Sequence, residues 1–190
     1  MILEQFSLKN KVVVLTGGAG LYGRQLTYAL AEAGATLVIA SRNLENLRKI
    51  AEKKGKEGFA IHCEAFDQGD EASILSLRDR VLEKFGRVDG LVNNSVVRTM
   101  KGLDDPLATW EQSMRVNATG VFLMTRAFGE ILCRQKSGSV VNIGSMQGMV
   151  GPSPELYEGT NMGVPPPDYF FPQKRDDQSE PILRERVRER

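Results

Sequence analysis

"KVVVLTGGAGLYGRQLTYALAEAG", Lys11 to Gly34, decides the fold. It opens with a valine-rich apolar run bounded by glycine, the pattern of a strand buried on both faces. It closes with Leu26, Leu30 and Ala33 recurring at helical spacing, and Gly34 as a stop signal. Between the two lies "TGGAGLYG", Thr16 to Gly23, whose Gly17, Gly20 and Gly23 fall three apart. Glycine at a strand-to-helix junction lets the backbone turn tightly and approach a pyrophosphate, to which the helix N-terminus offers N–H groups and the positive end of its dipole. Turns collect glycine for many reasons. The position of this triplet, after the first strand and before the first helix, is what points to a phosphate site.

The same alternation continues along the chain. "TLVIAS" (36–41) reads as a second buried strand, and "NLENLRKIAEKKG" (43–55) as a helix with Asn43 as its N-cap. "GFAIHCEAF" (58–66) is a third strand. Residues 70–85 form a helix whose Ile74, Leu77, Val81 and Phe85 share one apolar face. "VDGLVNN" (88–94) is a fourth strand, a long helix runs from about Pro106 to Arg134, and "GSVVNIGS" (138–145) is a fifth strand. Parallel strands need such crossovers, so the expected fold class is α/β: a Rossmann-like doubly wound parallel sheet of five strands in the order 3-2-1-4-5.

Composition narrows the function. A chain of 190 residues is one domain, able to bury about 70% of its unfolded surface. A formal net charge of +1 offers no field for steering toward nucleic acid or a membrane surface. No apolar run approaches the ~18 residues of a spanning helix, and no signal peptide opens the chain, so the expected location is cytoplasmic. Cys63 and Cys133 sit in no CxxC or Cys/His cluster and read as reduced, packed thiols with no metal site. Seven of the eight prolines follow Gly151. That shift divides the chain into a dinucleotide-binding domain (1–150), an extended loop (151–171) and an irregular charged tail (172–190).

Dinucleotide sites of this kind carry an acidic residue about 20 positions on, to hold the ribose 2′-hydroxyl. Here the second strand ends in Ser41 and Arg42. A guanidinium suits a 2′-phosphate, and one charge-assisted hydrogen bond of ~1.5–3 kcal/mol is a ten- to hundredfold preference. NADP(H) is therefore favoured, with NAD(H) also open. The alternative is that Arg42 only caps or solvates the next helix.

"TGGAGLYG", "FDQ" (66–68), "NNS" (93–95), "RVNATG" (115–120) and "VVNIGS" (140–145) come in the order found in short-chain dehydrogenases/reductases. The chain resembles that family over residues 8–150. It departs at Leu21, where the main branch has glycine, and at "NNSV", where the family reads "NNAG". The resemblance implies an oxidoreductase that interconverts a small-molecule carbonyl and an alcohol. Gly17, Ala19, Gly20, Leu21 and Tyr22 would line the pyrophosphate, and Ser41 and Arg42 the 2′ position. Asp67, with Phe66 and Gln68 beside it, would hold the adenine. Asn93 would brace the fourth strand beside the cofactor, and Ser95 would lie at the nicotinamide ribose. Asn117 would kink the long helix and order a water, while Ser145 would hydrogen-bond the substrate carbonyl. A serine ending a strand is also an ordinary turn former.

The family chemistry also needs a tyrosine acid/base with a lysine four residues later. Tyr157 has the usual spacing from Ser145 but meets Asn161; Tyr169 meets Gln173, with Lys174 one step too far round a helix. Pro172 is expected to disfavour a helix through Phe171. Reading the codons after Phe171 one base later permits "YFFHK", so a single-base insertion is the expected origin of the tail, and Tyr169 the catalytic tyrosine. The competing origin is a genuine divergent terminus. Without the family's later helix and strands, the fifth strand would be an exposed apolar edge, the family's homo-oligomer is in doubt, and activity is expected to be impaired. The non-catalytic alternative is a dinucleotide-binding remnant or regulatory module. The tail carries six basic and five acidic residues from Gln173 onward and reads as solvated.

Overall fold

The computed structural model describes residues 2–173, and the chain forms two compact units. Of the described residues, the first comprises 2–95 and 120–142, and the second comprises 96–119 and 143–173. None of these divisions falls at Gly151, where the proline content changes. The charged tail from Lys174 lies outside the described residues.

In the first unit five parallel strands form one sheet: β1 (Val12–Thr16), β2 (Thr36–Ser41), β3 (Ile61–Ala65), β4 (Gly90–Asn93) and β5 (Ser139–Asn142). Their order is β3-β2-β1-β4-β5, as expected. Val14 of β1 stands opposite Val38 of β2 on one side and Leu91 of β4 on the other. Every residue of β1 is buried, which is why its valines need no alternation with polar residues. Four helices complete the unit: α1 (Leu21–Glu32), α2 (Leu44–Gly55), α3 (Glu71–Phe85) and, after α4 of the second unit, α5 (Val121–Gln135). Ile74, Leu77 and Val81 of α3 and Met124, Phe128 and Ile131 of α5 join Val12, Val14 and Leu91 in one core. Asn43 caps α2 as expected, its side chain accepting from Asn46 N at 3.0 Å.

Asp89 closes the seam between β1 and β4. Its buried carboxylate accepts from Val12 N at 2.9 Å and from Arg87 Nε at 3.0 Å, with Lys11 Nζ 3.5 Å away. Burial pushes the carboxyl up, but the Arg87 and Val12 hydrogen bonds and the two cationic neighbours outweigh it, so the group titrates below its ordinary range.

The second unit holds α4 (Leu107–Met114), two short 3-10 turns at Met146–Gly148 and Pro154–Tyr157, and α6 (Pro167–Gln173). Trp110 of α4 meets Phe171 of α6 edge-on at 5.3 Å between ring centroids.

Several expectations are corrected. The long helix is not continuous: a π-helical turn at Arg115–Gly120 separates α4 from α5, and Asn117 lies within it. The fifth strand ends at Asn142 because it pairs residue for residue with a four-residue β4, so Ser145 lies beyond it. Residues 151–171 are not all loop, since a 3-10 turn and most of α6 fall inside them. Pro172 sits inside α6. A proline removes the N–H that the carbonyl four residues earlier would accept. That carbonyl, on Asp168, takes long hydrogen bonds instead from Ser113 Oγ (3.5 Å) and Asn117 Nδ2 (3.4 Å).

Candidate active site

In the first unit the residues singled out from sequence gather at the carboxyl ends of β1 to β4, where an open α/β sheet presents its ligand crevice. Gly17 follows β1 at φ 68°, the left-handed region that glycine enters without strain. Gly20 is the N-cap of α1 and brings no side-chain cap, so among the described residues no side-chain cap satisfies the N–H groups of the first turn. That turn carries no acidic residue, and Leu21 and Tyr22 project their side chains into the open. Gly23 is packing rather than cradle: a Cβ there would lie 2.0 Å from the Gly17 carbonyl oxygen and 2.8 Å from Asn94 Nδ2.

The loop is tied down by residues the sequence reading passed over. Thr16 Oγ, fully buried, accepts from Asn94 N at 3.0 Å and Ser95 N at 2.9 Å. Asn94 Nδ2 donates back to the carbonyls of Thr16 (3.0 Å) and Gly17 (3.2 Å). Thr27 Oγ of α1 donates to Gly18 O at 3.1 Å. The doubled asparagine at the end of β4 was the available signal. Asn93 points its amide elsewhere, to Thr125 Oγ at 3.1 Å and Asn142 Oδ1 at 2.9 Å, joining the end of β4 to β5 and α5.

Ser41 ends β2, its hydroxyl donating to Asn43 O at 3.3 Å. Arg42 is exposed and makes no hydrogen bond or ion pair among the described residues; α2 takes its cap from Asn43. Asp67 Oδ1 accepts from Gly69 N at 2.8 Å, and Ser73 Oγ accepts from Asp67 N at 2.9 Å. Phe66 puts its side chain into the core, so of the third strand's exit it is Asp67 that keeps a polar side chain.

The second unit assembles its own polar cluster. Asn117 is buried and grips Val97 on both backbone groups: its Oδ1 accepts from Val97 N at 2.8 Å and its Nδ2 donates to Val97 O at 2.7 Å. Nδ2 also donates to Ser113 Oγ at 2.9 Å. Asp168, absent from the sequence-based candidates, is 0% exposed. Its Oδ2 accepts from Thr99 N (2.8 Å), Met100 N (3.1 Å) and Thr99 Oγ (3.2 Å), while Oδ1 has no hydrogen-bond partner among the described residues. The next residue, Tyr169, lies under the Arg98 guanidinium, 4.0 Å from ring centroid to Cζ. Ser145 caps the 3-10 turn Met146–Gly148, its Oγ accepting from Gln147 N at 3.3 Å, and α6 packs against that turn. Tyr157 hydroxyl accepts from Gln147 Nε2 at 3.1 Å.

The residues of the first unit fit a dinucleotide: an uncapped helix head, a glycine turn anchored to the neighbouring strand, and just after β2 a guanidinium with no partner among the described residues. Comparison with known proteins agrees. A family profile described as short chain dehydrogenase matches residues 11–164. An uncharacterized oxidoreductase of Staphylococcus saprophyticus is 33% identical over 160 residues, 83% of this chain and 64% of that one. The 3-oxoacyl-[acyl-carrier-protein] reductase of Thermotoga maritima is 32% identical over 161 residues, covering 83% and 65%. A gluconate 5-dehydrogenase from Burkholderia cenocepacia, solved with NADP and tartrate, superposes with a TM-score of 0.78 at 28% identity, over 92% of this chain and 64% of that one. The chain thus spans less than two thirds of the length of these relatives. With the sheet order, the glycine turn and the family profile in agreement, this chain belongs to the short-chain dehydrogenase family.

Proposed function

We propose that the chain binds NADP(H) in preference to NAD(H) and serves the interconversion of a small-molecule carbonyl and its alcohol. The observation that carries the reading is the head of α1, whose N-cap is a glycine without a capping side chain behind a loop already fixed in shape. Backbone N–H groups of Gly17, Ala19, Gly20, Leu21 and Tyr22 would receive the pyrophosphate. Ser41 and Arg42 would take the 2′-phosphate, Asp67 the adenine amino group, and Asn93 and Ser95 would border the nicotinamide ribose. A bound nicotinamide dinucleotide supplies or accepts the hydride. For the proton, Ser145 would donate its hydroxyl to the substrate oxygen, and Tyr169 would give that oxygen its phenolic proton. Asn117 would hold residue 97 in place. Tyr169 is preferred to Tyr157 because Gln147 already occupies the Tyr157 hydroxyl, whereas no described residue bonds that of Tyr169.

A second reading has its own support. Asn161 stands four residues after Tyr157 and Gln173 four after Tyr169, so neither tyrosine has the family's lysine. On that reading the chain binds the dinucleotide without turnover. Fluorescence titration with NADPH and NADH, followed by reduction assays over a panel of ketones and sugar aldehydes, separates the two. The first reading expects NADPH binding and a measurable reductase rate that Tyr169→Phe lowers by ~10²-fold or more and Tyr157→Phe spares. Binding with no turnover favours the second, and no affinity for either dinucleotide ends both.

A further inference from the structure

The residues around Tyr169 hold a cation against its ring. Residue 98 is clamped on both sides within the second unit. Before it, Asn117 bonds the N–H and carbonyl of Val97 at 2.8 and 2.7 Å. After it, the buried Asp168 carboxylate bonds the N–H groups of Thr99 and Met100 at 2.8 and 3.1 Å. Asp168 directly precedes Tyr169, so the same dipeptide that anchors residues 99 and 100 presents the ring over which Arg98 stacks at 4.0 Å. Arg98 makes no ion pair with any described carboxylate, so its charge faces the ring uncancelled. We propose that Arg98 is a positioning cation for Tyr169, supplying beside the phenol the positive charge that Gln173, in the lysine's place, does not.

The physical reason lies in which state the contact favours. Over a neutral phenol the guanidinium meets only the ring's quadrupole, a modest attraction. When the tyrosine O–H bond breaks and the proton passes to the substrate oxygen, a full negative charge remains on the phenol. The attraction grows at that moment, which is the condition for an interaction to speed a step rather than merely tighten binding. The other titratable side chains on the described elements packed about α6 are Asp168 of its own helix, Glu111 of α4 and Arg115 of the π turn; the turn Met146–Gly148 carries none. Among the described residues it is Arg98, and not Arg115, whose guanidinium stands over the Tyr169 ring. Because Arg98 is exposed, water screens part of its charge, and its expected effect is about tenfold.

This inference rests on Tyr169 as the proton donor, and the two can be tested apart. Tetranitromethane nitrates phenolate in preference to phenol, so nitration of Tyr169 in the full chain at mildly alkaline pH reports the charged form without requiring turnover. Peptide mass spectrometry follows Tyr169, with exposed Tyr22 as internal reference. Arg98→Ala is expected to slow Tyr169 nitration severalfold relative to Tyr22, although it uncovers the ring, and Arg98→Lys is expected to restore part of the rate. Guanidinium chloride at low concentration should also restore part of it in Arg98→Ala, where equal sodium chloride does not. A Tyr169-to-Tyr22 ratio unchanged or raised in Arg98→Ala overturns the role of Arg98, whatever the turnover assays give. Slowed nitration together with full activity in Tyr169→Phe overturns the proton-donor reading, and this inference with it.

Discussion

At Gly23 a single methyl group decides whether the glycine turn keeps its shape. Gly23→Ala forces the Gly17 carbonyl aside, because the new atom would stand 2.0 Å from it. Overpacking of this kind costs about 1–3 kcal/mol, and here the displaced group is the turn itself. The variant is expected to bind NADPH at least about tenfold more weakly in a fluorescence titration while circular dichroism keeps its helical content. Arg42→Gln tests the other end of the cofactor. It should weaken NADPH by about ten- to a hundredfold and leave NADH within about twofold; an equal loss for both would show that Arg42 reads no phosphate. The strand-to-helix turn through Gly17 and Gly20 was legible in the sequence because its geometry is local. Thr16, Asn94 and Asp168 were not, because their partners are remote: Thr16 and Asn94 lie 78 positions apart, and Asp168 and Thr99 lie 69 apart. No periodicity marks such pairs.

Among the elements, the β1–β4 seam depends on one carboxylate. Asp89→Asn keeps an acceptor for Val12 N but deprives Arg87 and Lys11 of their counter-charge. Urea unfolding at pH 7 should show a loss of about 1.5–3 kcal/mol. The carboxyl titrates below its ordinary range in the folded chain, so its contribution is complete above that range and drains away as pH falls through the folded value. The wild type should therefore lose stability more steeply in acid than Asp89→Asn, and the gap between them should narrow below pH ~4. Helix and strand existence followed from apolar spacing, but two element-level features did not. The π turn at 115–120 was expected only as a kink at Asn117, because RVNATG holds no proline to mark a change of helix type. The α6 helix tolerates Pro172 only because side chains from α4 and the π turn reach the carbonyl it strands.

For the molecule, the sheet order was readable because each strand is followed by a helix, and that alternation admits few topologies. Its edge has a measurable consequence. Among the described residues β5 is paired on one side only, by β4, and it carries Val141 at 46% exposure. An apolar edge invites pairing with another chain, and a lysine on it discourages such pairing. Val141→Lys is expected to lower concentration-dependent light scattering severalfold at unchanged thermal stability; scattering equal to wild type would acquit this strand. The knot of Thr16, Asn94 and Ser95 bears on speed rather than strength. The glycine turn is moored by internal hydrogen bonds, so if it receives the pyrophosphate as proposed above, capture would require little rearrangement of the main chain, and less entropy would be surrendered on docking. On that proposal the turn would act as a rigid socket, and stopped-flow mixing with NADPH should show a filling rate that climbs in proportion to ligand concentration instead of levelling off at the pace of a loop that must first close.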